Sequence, residues 1–96
     1  MTWIKTVPPA QADESLRQIY GAILALYPAE YGQDIPLLKG ADGTTDSIVA
    51  AHSLIPEVMR HMMSGLALLL SADLPLTRRQ HEMIATVVSV KNSCFY

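Results

Sequence analysis

Two residues in the last fifth of the sequence are of types that carry redox and proton-transfer chemistry. Cys94 is the single cysteine of the 96 residues, and Glu82 precedes it by twelve positions. Asn92-Ser93 reads as a helix stop, because Asn tolerates a left-handed cap. A stop there would set the sulfur of Cys94 at the start of a following helix, where the dipole and free N–H groups favour a thiolate. The thiolate is the form that reacts with peroxides and disulfides. Glu82 is flanked by His81, Met83 and Ile84, and a carboxylate at the edge of an apolar seam can take or give a proton. Twelve residues of unbroken helix span ~18 Å, so Glu82 and Cys94 need a relay partner, which is expected on chain beyond Tyr96. The plainer alternatives are a solvated helix glutamate and a small buried or chain-end thiol.

Other residues of chemical type are weaker candidates. His52, His61 and His81 make no metal pattern, since no second ligand stands four positions after His61 or His81. No metal and no cofactor is therefore expected. Met59, Met62, Met63 and Met83 fall at core spacing and read as packing residues. The run Asp42, Gly43, Thr44, Thr45, Asp46 lacks the ligand spacing and closing glutamate of a calcium loop; a turn and a helix cap account for it. Arg78-Arg79 reads as a solvated helix start on which an anion could sit.

Composition narrows the classes. Half of the residues are apolar and 17% are charged, against a usual ~25%. Mean hydropathy is +0.22. Disorder is excluded, because there is ample apolar surface to offset ordering entropy. The length allows one domain or a part of one, with about 65% of the unfolded surface buried at most. So greasy a chain is expected to cover its remaining apolar surface in an oligomer or against further chain. Seven basic against nine acidic residues give a net charge of −2 and a pI near 5.8. That leaves no positive field for nucleic acid. Leu76 to Glu82 faintly resembles the opening of a helix-turn-helix, but no recognition helix follows. A membrane span needs about 20 apolar residues in a row, and the run Gly65 to Leu70 is far shorter. Pro8-Pro9 and the polar stretch Gln11 to Glu14 leave no signal-peptide core, and a lone cysteine suits a reducing cytoplasm.

The elements that must position Glu82 and Cys94 read as helices, since apolar residues recur at helical spacing and none alternate as in a strand. Met1 to Ala10 is expected to be extended, with Pro8-Pro9 holding the preceding chain out of helix. A first helix starts at the N-cap Asp13, with Glu14 in its first turn. Its stripe is Leu16, Ile19, Tyr20, Ile23, Leu24 and Tyr27, and Pro28 ends it. Residues 28 to 43 form a long loop in which Ile35, Leu37 and Leu38 want burial. A short helix is expected from Thr45 to Leu54, capped by Thr44 or Thr45. The next runs from Pro56 to Ser71, with the stripe Met59, Met62, Met63, Leu66, Leu69 and Leu70, and is broken at Asp73-Leu74-Pro75. The last opens on a capping box, Thr77 with Gln80, and Met83, Ile84, Val87, Val88 and Lys91 share its inner side.

The stretch Leu76-Thr77-Arg78-Arg79-Gln80-His81-Glu82-Met83-Ile84-Ala85, followed by Val87-Val88-Ser89 and Asn92-Ser93-Cys94-Phe95-Tyr96, resembles the carboxymuconolactone decarboxylase and alkylhydroperoxidase D-like family. More narrowly it is similar to that family's uncharacterised peroxidase-related branch. Trp3 to Ala10, Asp46 to Leu54 and the proline-initiated helix carry the likeness too, so it covers essentially the whole chain. The family signature is a glutamate, a Cys-x-x-Cys twelve residues later, and a histidine four residues after the second cysteine. Glu82 and Cys94 match the first two elements; the second cysteine would follow Tyr96, and the histidine lies beyond.

The resemblance implies an all-helical, alkylhydroperoxidase D-like subunit that associates into homo-oligomers. It also implies an antioxidant redox dithiol that reduces a hydroperoxide substrate and is recharged by a thiol reductant. Glu82 would be the relay base, acting with the histidine through water, and Cys94 the resolving thiol for the peroxide-attacking second cysteine. The decarboxylase branch lacks the dithiol, so Cys94 points away from it. The 96 residues are thus expected to be the N-terminal part of a longer chain, with no turnover of their own. The competing expectation is a non-catalytic helical oligomerisation module.

Overall fold

The computed structural model describes residues 4–32, 36, 47–71 and 73–94. Three helices carry the architecture: α1 (Glu14–Leu26), α2 (Pro56–Leu69) and α3 (Arg78–Lys91). No strand occurs among the described residues, so the fold is all-α there. Short 3₁₀ turns at Pro9–Gln11, Ala29–Gly32 and Ala50–His52 connect them.

Each helix starts where local chemistry requires it. The Asp13 carboxylate accepts from the Leu16 N–H at 2.8 Å and opens α1, with Glu14 beside it in the first turn. Pro56 opens α2 at the first helical position, where a missing N–H costs nothing. Thr77 and Gln80 form the expected reciprocal capping box at α3: the Thr77 N–H donates to Gln80 Oε1 at 2.8 Å, and the Gln80 N–H to Thr77 Oγ1 at 3.3 Å.

The core lies between α1 and α2, the one helix pair with extensive packing among the described elements. Leu16, Tyr20 and Ile23 of α1 meet Met59 and Met63 of α2, with Ala12, Val49 and Ala50 closing the ends. Ile23 and Met59 are fully buried. The N-terminal segment is stitched on by polar contacts. Tyr20 Oη donates to the Val7 carbonyl at 2.8 Å, and the Val7 N–H donates to Ser53 Oγ at 2.7 Å. Ser53 is itself buried, so its hydroxyl needs that partner. Tyr27 Oη reaches Met63 Sδ at 3.6 Å across the pair.

Several expectations need correction. The extended reading of Met1 to Ala10 fails at its end, because Pro9–Gln11 closes a 3₁₀ turn with Gln11 N–H bonded to the Pro8 carbonyl. The short helix from Thr45 to Leu54 shrinks to the 3₁₀ turn Ala50–His52, with Ser47 Oγ accepting from the Ala50 N–H at 3.2 Å. Thr44 and Thr45 lie outside the described residues, as does most of the 28 to 43 loop with Ile35, Leu37 and Leu38. The two packed helices bury narrower stripes than expected: Leu24, Met62 and Leu69 face solvent, and Ala67 takes the third buried place on α2. A single helix neighbour covers only part of each stripe. α3 buries no residue at all, and Met83, Ile84, Val87 and Val88 are each more than half exposed.

Candidate functional site

The site begins with the capping box, because it fixes where α3 starts and therefore which residues fall on which side. Arg78 is the first helical residue, and Glu82 stands one turn on. Arg78 Nε donates to Glu82 Oε1 at 3.2 Å, the i, i+4 arrangement of a surface ion pair. Arg78 Nη1 also reaches Glu30 Oε1 at 3.2 Å, in the turn that follows α1. Thr86 Oγ1 donates back to the Glu82 carbonyl at 2.7 Å. Glu82 is therefore not a lone carboxylate in an apolar seam; its side chain is 43% exposed and held by a guanidinium.

Cys94 is set by the other end of α3. Ser93 adopts the left-handed conformation, with φ at 50°. Its N–H bonds to the Val90 carbonyl at 3.1 Å, and the Cys94 N–H bonds to the Ser89 carbonyl at 2.9 Å. That pair of bonds is a Schellman stop, with Asn92 as C-cap and Ser93, one residue later than the Asn position the sequence suggests, in the left-handed place. The exposed Cys94 thus lies on the C-terminal cap of α3. Residues 95 and 96, on which a following helix would begin, lie outside the described residues.

Glu82 and Cys94 both line one shallow cleft of about 390 Å³, with Ala85, Thr86, Ser89 and Ser93 between them. The last turns of α3 and its C-terminal cap thus separate them along a common wall. The cleft is open and mixed in character, and its acid and thiol mark its two ends. On the apolar side of α3, Leu76, Gln80, Met83, Ile84, Val87 and Val88 line a second open trough of about 450 Å³.

The other candidates resolve as local structure. His52 Nδ1 pairs with the Ile48 carbonyl at 2.8 Å. His61 joins Arg60 around Glu57, whose carboxyl is held below its ordinary range by the hydrogen bond and charge of Arg60. His81 Nε2 is buried and has no hydrogen-bond partner in the structure. Among the described residues no cluster of His, Cys, Asp or Glu could hold a metal ion, and no helix is long and apolar enough to cross a membrane. Sequence reasoning missed Arg78 as anything beyond a solvated helix start. Its i, i+4 spacing to Glu82 was readable; the bond to Glu30, 48 residues away, was not.

Compared with protein-family models, with curated proteins and with solved structures, the chain finds no match.

Proposed function

We propose that this chain supplies the Glu82 and Cys94 portion of a thiol-dependent, hydroperoxide-reducing centre of the alkylhydroperoxidase D-like type. The observation that carries the reading is the shared cleft: an acid–base group and a thiol, twelve residues apart, open onto one wall. The resemblance supplies the rest, a second cysteine after Tyr96 and a histidine beyond it. In the balanced reaction the second cysteine's thiolate attacks the outer peroxide oxygen, releasing alcohol and leaving a sulfenic acid. The Cys94 thiol then condenses with it, expelling water and closing a disulfide, and an external thiol reductant restores both sulfurs. Glu82 serves as the proton relay for the attacking thiol.

The test is hydroperoxide consumption by the native gene product with a dithiol reductant. Glu82→Gln is expected to slow it by roughly 10²-fold. An unchanged rate removes Glu82 from the mechanism.

A second reading, self-association, has its own observation. Met83, Ile84, Val87 and Val88 form an apolar face of α3 in which each side chain is more than half exposed, the kind of surface that a protein partner covers. The two readings are compatible, since a helical redox subunit can also be a subunit of a homo-oligomer.

A further inference from the structure

Arg78 is placed differently from its neighbour Arg79. Arg79 is exposed, whereas the Arg78 side chain is 35% exposed and forms the charged wall of a cleft of about 370 Å³ at the ends of α1 and α2. Leu26, Tyr27, Pro28 and Leu70 make up much of the remainder. From there its guanidinium reaches two carboxylates by different nitrogens, Nη1 to Glu30 and Nε to Glu82, each at 3.2 Å. The planar guanidinium presents such donors in a fixed fork, which a lysine ammonium does not. No residue of α3 belongs to the α1–α2 core, so core packing does not set its orientation on that pair. A bridge from its first residue to the end of α1 acts directly on that orientation.

We propose that Arg78 is a positioning residue for the Glu82 carboxylate. It holds the carboxylate of Glu82 in one place at the edge of the cleft that Cys94 also lines, and through Glu30 it ties the start of α3 to the turn that follows α1. The proposal rests on Glu82 being the relay group, and its test separates the two. The first arm is independent of peroxide chemistry: solvent exchange of the Arg78 Nε–H in the full chain by NMR, with Arg79 as internal reference. The Arg78 Nε–H is expected to exchange at least about tenfold more slowly than that of Arg79. Glu30→Gln, which replaces no residue of α3 or of the Glu82 cleft, and Glu82→Gln should each bring it toward the Arg79 rate. Equal exchange of the two arginines, or protection indifferent to Glu30→Gln, overturns the proposal.

The second arm compares the pH profile of hydroperoxide consumption in Arg78→Lys, Glu30→Gln and the unsubstituted native gene product. Both variants should lower kcat with KM little changed and move the profile toward that of Glu82→Gln. Profiles and rates identical to the unsubstituted protein overturn the proposal. If the unsubstituted protein consumes no peroxide, the relay reading fails, and the exchange measurement alone decides whether Arg78 positions Glu82.

Discussion

Ser93 is the residue whose backbone is at odds with its side chain. Its φ of 50° lies in the left-handed region, where an L-residue with a Cβ is strained by about 1 kcal/mol or more and glycine is not. Ser93→Gly is therefore expected to raise stability by about 1 kcal/mol, seen as a higher Tm in thermal unfolding; a lower Tm would mean that the serine side chain holds the cap. Tyr20 makes the opposite case, a polar group that the fold uses. Burial pushes its phenol above the ordinary value, with a hydrogen bond to Ser53 partly opposing. A group whose pKa is raised on folding contributes stability that is whole below the unfolded value and is lost as pH rises through the folded one. For a tyrosine that window opens above pH 10, so unfolding free energy should fall there in the native chain. Tyr20→Phe should remove that alkaline component and cost about 1–3 kcal/mol at neutral pH, because the Val7 carbonyl loses its donor. Denaturant titrations at pH 7 and above pH 10 read both effects.

At the scale of elements, helix starts are decided locally and helix packing is not. Thr77→Ala should cost about 1 kcal/mol by freeing a cap, a loss measurable as reduced helicity or Tm. Met59→Ala should cost about 2–5 kcal/mol, because its side chain is fully buried between α1 and α2. The three helix starts were legible in the sequence because Asp13, Pro56 and the Thr77–Gln80 pair act within one turn of themselves. The stripes were legible in phase but not in width. Leu16, Tyr20, Ile23, Met59 and Met63 are buried as their spacing requires, while Leu24, Met62 and Leu69 face solvent. Periodicity marks the side of a helix that is apolar, not how many neighbours cover it. Of the expected Thr45 to Leu54 helix, the described residues form only the turn Ala50–His52, since so short a segment does not repay helix nucleation. Of the candidate site, Glu82 and Cys94 stand out by type and spacing, and both line one cleft. The Schellman geometry that sets Cys94 and the tie from Arg78 to Glu30 were not legible in the sequence. The first depends on a left-handed serine, and the second joins residues far apart in the chain.

The described residues form a two-helix core carrying a third helix with an apolar face. Six side chains of α3 and its approach, from Leu76 to Val90, are exposed large hydrophobics, an arrangement typical of surface that another protein surface covers. Replacing Met83 and Val87 together by Lys is expected to reduce the mass measured by sedimentation at a given concentration while leaving α1 and α2 helical. An unchanged mass would exclude that face from self-association. The same helix carries the acid and, at its C-terminal cap, the thiol, so covering its apolar side would fix the wall on which the chemistry is proposed to take place. The central claim concerns that chemistry. Its most direct test is peptide mapping of the native gene product after one equivalent of hydroperoxide. Under the proposed function Cys94 is expected in a disulfide with the second cysteine that the proposal places three positions on, with one hydroperoxide consumed per disulfide formed. Cys94 recovered as a free thiol, with the hydroperoxide intact, would contradict it.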